Sequence, residues 1–299
     1  MYYNSHHATG RAAQSSLTGL TAVQPFLQDL PAVPELDSLF APAGPILDAQ
    51  KQSAELFGAA EIDMVFSYAY NMSDSSSNYG NLFTTRYIIS STLRKQSKSW
   101  KPKDESQKPS AVLITSPTYH GICSNLMEIS LLCHSHNVPL IVDEAHGAHL
   151  GFHQNLPRSA LSQGADISLQ STHKVLGSFQ QSSMLHMSRK IVNKERICQC
   201  LQTLQSTSPS YLLLASLNAA RTQISENPQT IFNKPIELST EAKDLKENIT
   251  GITVLKSDNP NYSWGVEASF VYLVLKLTIS YIKMEWLQSF RVLVLLCLS

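Results

Sequence analysis

A three-layer α/β/α domain on a parallel sheet is the fold this sequence predicts, and three observations predict it. Ala111-Val112-Leu113-Ile114-Thr115 and Val138-Pro139-Leu140-Ile141-Val142-Asp143 are short continuous apolar runs, as strands buried on both faces require. Between them Leu126, Ile129, Leu132 and Cys133 recur at helical spacing, with Asn137 at the stop. A third run, Ala165-Asp166-Ile167-Ser168-Leu169-Gln170, leads into Ser171-Thr172-His173-Lys174. Strand, helix, strand in that order builds parallel pairs through right-handed crossovers. Thr115, Asp143 and Lys174 then fall on one edge, the carboxyl ends of the strands, where open α/β sheets bind ligands.

The other elements divide the chain into four stretches. Residues 1–60 are punctuated by proline (Asp29-Leu30-Pro31, Ala41-Pro42-Ala43-Gly44-Pro45) until a helical pattern runs from Ile46 to Phe57. Pro45 suits its first turn and Gly58 its C-terminal cap. Residues 61–107, with Ser73-Asp74-Ser75-Ser76-Ser77-Asn78 and a basic polar run from Arg94 to Lys108, read as a divergent disordered loop. Residues 108–258 hold the strands above and then helices near 190–205, 209–225 and 237–248, with Leu212-Leu213-Leu214 as core. Residues 259–299 form a divergent apolar tail, but Lys276, Lys283, Glu285 and Arg291 interrupt it short of the ~20 residues of a spanning helix, so no membrane partner is expected.

Composition narrows the function classes. Of 299 residues 43% are hydrophobic, enough for a large core, and 23 Lys+Arg balance 23 Asp+Glu. Neutral charge without a basic block argues against a nucleic-acid partner, whose binding rests on phosphate neutralisation. Five scattered cysteines do not make a disulfide framework. The opening Met1-Tyr2-Tyr3-Asn4-Ser5-His6-His7 has no basic and apolar signal-peptide pattern, which points to the cytoplasm, with a plastid form that has lost its leader as the alternative.

Asp143-Glu144-Ala145-His146 has two chemical readings. As the magnesium-holding box of a helicase it needs a phosphate loop with Gly-Lys-Ser/Thr upstream, and the chain contains none. Paired with Lys174, about thirty residues later, Asp143 instead suits pyridoxal phosphate: a lysine amine holds the cofactor and a carboxylate keeps the pyridine nitrogen protonated. The competing structural readings are a surface lysine for Lys174 and a helix N-cap for Asp143. His146, His149 and His153 match no zinc spacing rule, so no metal is expected. Cys198 and Cys200, two apart on a helix, share no face and read as structural.

Val142-Asp143-Glu144-Ala145-His146-Gly147, Ser171-Thr172-His173-Lys174 with Gln181-Ser182-Ser183, and Ser116-Pro117-Thr118-Tyr119-His120-Gly121 closely resemble the Orn/Lys/Arg decarboxylase family. Gly10-Arg11-Ala12-Ala13, Asp29-Leu30-Pro31 and Gly44-Pro45-Ile46-Leu47 are similar to its N-terminal segment, so the resemblance covers 5–60 and 108–250. It implies the aspartate-aminotransferase-like major domain of pyridoxal-phosphate enzymes, with an incomplete sheet here. It implies decarboxylation of lysine, ornithine or arginine to a polyamine precursor, in a homo-oligomer. By resemblance, Lys174 holds the cofactor, Asp143 the pyridinium, and His146 lies beside the ring. Ser171 and His173 serve the phosphate, and Thr115 or Ser116 the ring hydroxyl.

The departures suggest a truncated or mis-spliced member. Ser5-His6-His7 keeps only the histidine of a Pro-Gly-His opening, and Leu169 and Gln180 stand where the lysine signature has small residues. Residues 62–107 contain neither a Gly-Ser/Thr-Thr phosphate loop nor a ring-stacking histidine, and nothing matches the family's C-terminal domain. The alternative is therefore a catalytically dead remnant that binds the cofactor weakly or pairs with a full-length subunit.

Overall fold

The structure, a computed structural model, describes residues 15–30, 36–66, 87–89, 109, 111–119, 121–188, 191–206 and 209–249. The described strands are β1 (Glu61–Phe66), β2 (Tyr87–Ile89), β3 (Ala111–Thr115), β4 (Leu140–Asp143), β5 (Ile167–Gln170) and β6 (Ser182–Met187). They form one sheet in the order β1-β6-β5-β4-β3-β2. From β2 to β5 neighbours are parallel, as expected; β6 runs antiparallel to both β5 and β1.

Two expectations are corrected here. β6 went unread as a strand because Ser182-Ser183 opens it and His186 interrupts it, which leaves no apolar run longer than two residues. The structure buries both serines, and Ser182 Oγ lies 2.7 Å from Ser178 Oγ and 2.6 Å from the Phe179 carbonyl, which removes the penalty for a buried hydroxyl. The loop expected over 61–107 is interrupted by β1 and β2. β1 pairs along its whole length with β6, from Glu61↔Met187 to Phe66↔Ser182, so a partner distant in sequence makes it a strand. The rest of that loop, at 67–86 and 90–107, and the tail at 259–299 lie outside the described residues.

Helices cover both faces. On one, α4 (Leu126–Ser135) packs Leu126, Ile129 and Cys133 on Val112 and Ile114 of β3 and Leu140 and Val142 of β4. On the same face α3 (Pro45–Phe57) and α7 (Tyr211–Glu226) meet Met184 of β6. The opposite face carries Ile141, Ile167, Leu169, Leu185 and Met187 under α6 (Lys194–Leu204). Period-two alternation along β3 to β6 thus produces the three layers. The last described helix, α8 (Pro228–Glu247), begins nearer Pro228 than the expected 237 and lays Phe232 on Ala220 and Ile224 of α7. Two short helices, α1 (Ser15–Thr21) and α2 (Gln24–Gln28), bury no residue. No helix among the described residues is long and apolar enough to cross a membrane.

The entry to α3 rests on one carboxylate. Asp37 Oδ1 accepts the N–H of Ser38 (2.8 Å) and Ala43 (2.9 Å), and Oδ2 those of Gly44 (2.7 Å) and Ile46 (3.2 Å). Burial works against its ionisation, but these four donors outweigh burial and hold its pKa below the ordinary value. At the other end Gly58 takes the left-handed conformation (φ +67°) that a C-terminal cap needs. Asp37→Ala should lower unfolding free energy by about 1–2 kcal/mol, read from the urea midpoint at unchanged slope.

Candidate active site

Register brings the expected residues to one edge. Thr115 lies opposite Asp143, and Asp143 opposite Leu169, so β3, β4 and β5 end side by side. Asp143 turns back on its own loop: Oδ1 accepts the Ala145 N–H at 3.1 Å, and the Gly147 N–H reaches the Glu144 carbonyl at 2.8 Å. It caps a tight turn, not the start of a helix. Burial raises the pKa of its carboxyl, against the Ala145 N–H and the charge of Lys174, which lower it.

Lys174 follows β5 on the single-turn helix α5 (Thr172–Val175). Its Nζ lies 3.4 Å from His146 Nε2. An ammonium only donates, so Nε2 is the acceptor there. The Tyr119 ring stands edge-on to His146 at 5.5 Å and 88°. Asp143, His146 and Lys174 are all half-buried. This is no isolated surface lysine.

The other expected residues differ in placement. Thr115 is exposed on the edge beside Asp143. Ser116 is turned inward: its Oγ accepts the Ser124 N–H at 2.9 Å and hydrogen-bonds the thiol of Cys123, whose pKa burial and the charge of Glu144 push up to about 12. Ser171 is buried ahead of α5. His173 Nδ1 donates to the Ser182 carbonyl at 2.7 Å and ties α5 to β6. The three neighbouring histidines do not converge. His153 donates from Nε2 to Asn233 Oδ1 (3.0 Å) and accepts the Asn155 N–H on Nδ1 (3.1 Å), while His149 is buried against Phe232. No metal-binding cluster occurs among the described residues.

Sequence reasoning passed over Glu144, Gln170 and His186. Glu144 is 1% exposed; its Oε1 accepts the Ala160 N–H (2.8 Å), and its Oε2 accepts Ser168 Oγ–H (2.7 Å) and Gln170 Nε2–H (2.9 Å). Gln170 Oε1 in turn accepts from His186 Nε2 at 2.9 Å. The available signal was Ser168-x-Gln170, two polar residues on one face of an otherwise apolar strand. Gly147 seals the turn over this group: a Cβ there would meet Glu144 Cγ at 2.7 Å and Pro117 Cδ at 2.8 Å. Gly147→Ala should cost about 1–3 kcal/mol in a denaturation curve through overpacking.

A sequence model of the Orn/Lys/Arg decarboxylase major domain matches residues 72–267. The chain belongs to the Orn/Lys/Arg decarboxylase family. The match takes in part of the stretch expected to diverge and stops short of the N-terminal resemblance at 5–60. Arginine decarboxylase of Halalkalibacterium halodurans is 40% identical over 180 residues, 60% of this chain and 36% of the relative. Arginine decarboxylase of Bacillus subtilis is 41% identical over 169 residues, 56% of this chain and 34% of the relative. The alignments thus span about a third of these relatives' length. Lysine decarboxylase A from Pseudomonas aeruginosa superposes with a TM-score of 0.64 at 19% identity, covering 85% of this chain and 42% of that one, which establishes a shared fold.

Proposed function

We propose that this chain of the Orn/Lys/Arg decarboxylase family binds pyridoxal phosphate and removes the α-carboxylate of a basic amino acid, arginine being the first to test. The observation that carries the reading is an amine, an imidazole and a carboxylate gathered at adjoining strand ends: Lys174 Nζ 3.4 Å from His146 Nε2, with Lys174's charge felt at Asp143. That donor set fits the cofactor, whose aldehyde takes an amine and whose pyridine nitrogen takes a carboxylate. The two sequence relatives reported above are named arginine decarboxylases, which puts arginine first in the test, with lysine beside it because the structural neighbour is named a lysine decarboxylase.

Bound pyridoxal phosphate supplies a sink for the electron pair left when carbon dioxide departs. Lys174 holds it through the amine. His146 Nε2, as acceptor, takes the ammonium proton that must leave before the amine is nucleophilic. Asp143 would hold the ring nitrogen, whose positive charge would draw the raised pKa of its carboxyl back down. Ser171 and His173 serve the phosphate; His173 enters with Nδ1 already committed to β6 and its ring direction set. Of the two candidates for the ring hydroxyl, Thr115 is the exposed one. Lys174, paired with His146, returns a proton to the α-carbon. The product is a diamine or agmatine, a polyamine precursor, and the working form is a homo-oligomer.

The same chain read as an inactive remnant draws on residues 62–107, which contain no Gly-Ser/Thr-Thr sequence and no histidine. Labelled carbon dioxide release from carboxyl-labelled arginine, lysine and ornithine, with pyridoxal phosphate added, separates the two. Release above the protein-free blank supports decarboxylation. None at saturating cofactor, from a chain that still binds it, supports the remnant.

A further inference from the structure

We propose that Glu144 is a positioning residue that clamps the Asp143–His146 turn to the Gln170–Lys174 segment, so that the two halves of the cofactor site move as one body. The proposal rests on the functional reading above for what the site holds. The clamp itself is a matter of this chain's geometry.

Glu144 is fastened to β5 both by its backbone and by its side chain. Its backbone N–H donates to the Leu169 carbonyl at 2.9 Å, and its side chain takes Ser168 Oγ–H at 2.7 Å and Gln170 Nε2–H at 2.9 Å. A third contact, from the Ala160 N–H at 2.8 Å, closes the loop that leaves the site. Gln170 immediately precedes Ser171 and α5, and Glu144 immediately follows Asp143. The chain of bonds continues to β6, where His186 Nε2 donates to Gln170 Oε1 at 2.9 Å; Oε1 has no proton, which sets the tautomer. Phe57 of α3 backs His186 with ring centroids 4.8 Å apart. On the far side the Glu144 side chain abuts Gly147, which itself lies against Pro117 of the loop after β3. From the residue after β4, one side chain therefore touches or reaches, through a single residue, β5, β6 and the loop after β3.

A fold does not need this arrangement. The corresponding face of β3 and β4 is filled with Val112, Ile114, Leu140 and Val142, whereas β5 and β6 place Ser168, Gln170 and His186 beside them, each at most 2% exposed. Burial pushes the Glu144 carboxyl up to about 7, opposed by the bonds from Gln170, Ser168 and Ala160. Apolar residues of like volume are usually at least as stabilising as a buried polar network, but they lack direction. Hydrogen bonds of fixed geometry hold a site to the fraction of an ångström that chemistry needs.

The test compares the full chain with Glu144→Ala, Glu144→Gln and Ser168→Ala, first without cofactor. Amide exchange is read by mass spectrometry on peptides covering 143–147, 171–174 and, as control, 111–115. Glu144→Ala should raise exchange about tenfold or more at both site segments, with 111–115 unchanged. Glu144→Gln, which keeps an acceptor, should restore most of the protection. A rise confined to 143–147 overturns the proposal, since Glu144 would then hold only its own loop. If Glu144→Ala does not fold, Ser168→Ala, which removes one donor, must still loosen both segments or the proposal falls.

The second arm adds pyridoxal phosphate and follows its fixation on Lys174 by borohydride. The clamp predicts a lower fixation rate at saturation in Glu144→Ala, beyond any change in half-saturating concentration, and an equal saturated rate overturns it. A wild-type chain that never fixes the cofactor on Lys174, yet shows the paired exchange response, would remove the functional reading and leave the clamp standing.

Discussion

Lys174→Ala should abolish fixation of pyridoxal phosphate by borohydride at the site, whether or not the chain turns over substrate. Lys174 is the lysine of the Ser171-Thr172-His173-Lys174 segment, it adjoins His146 and Asp143, and α5 holds it there by its N–H to the Ser171 carbonyl at 2.9 Å. In wild type, peptide mass mapping should find the pyridoxyl group on the peptide carrying Lys174. A label spread over surface lysines, unchanged by the substitution, would dismiss the assigned role. The covalent readout matters because turnover by this chain alone should be poor. A phosphate dianion gains about 1.5–3 kcal/mol from each charge-assisted hydrogen bond. Without the two or three that a Gly-Ser/Thr-Thr loop supplies, affinity falls by several powers of ten. Turnover in the ordinary range of ~1–10³ per second would show that residues 62–107 supply more than their composition suggests.

Stability should fall as pH drops from about 6.5 towards 4.5, at roughly 1.4 kcal/mol per pH unit from three buried groups. Burial lowers His149 to about 4 and His186 to about 3, so both stay neutral in the folded chain. In the unfolded chain they take up protons below about 6.5, and stability is lost as the pH falls through that window. Glu144 acts in the opposite sense. Its folded pKa is raised to about 7, so its contribution is present below the unfolded value near 4.5 and is lost as pH rises towards 7. Near pH 5.5 the unfolded chain holds about two protons more from the histidines and the folded chain about one more from Glu144, leaving a net slope of about one proton.

His149→Leu sharpens this expectation. Neither ring nitrogen of His149 has a hydrogen-bond partner, so the substitution removes a desolvation cost of about 1–3 kcal/mol and should raise stability at pH 7. It should also flatten the slope between pH 5 and 6, because one histidine then opposes one carboxylate. Urea unfolding at stepped pH measures both. A variant that is less stable at pH 7, or as steep as wild type, would refute the account of His149 as a buried neutral imidazole.

The fold class was legible because continuous apolar runs at Ala111–Thr115 and Leu140–Asp143 flank a helix with one apolar stripe, and that pattern leaves few topologies. That Asp143 and the segment leading to Lys174 lie at adjoining strand ends was legible for the same reason, since parallel strands bring successive carboxyl ends to one edge. β6 and β1 were not. The serines and His186 break the apolar pattern of β6, and β1 alternates polar and apolar over only Glu61–Met64; the two become strands by pairing with each other and, for β6, with β5. The inward turn of Ser116, which with Thr115 was one of two alternatives for the ring hydroxyl, was not legible either; it follows from the Ser124 N–H and the Cys123 thiol closing around it.

By itself, then, the sequence determined which residues reach the carboxyl edge, because strand direction and helical spacing are local properties of the chain. Only the tertiary structure decided what holds them there. Glu144 satisfies donors 16, 24 and 26 residues away and Gln170 meets a histidine 16 residues on. A carboxylate's burial, its pKa and its partners come from segments that approach only when the sheet has formed, and no local pattern encodes that approach.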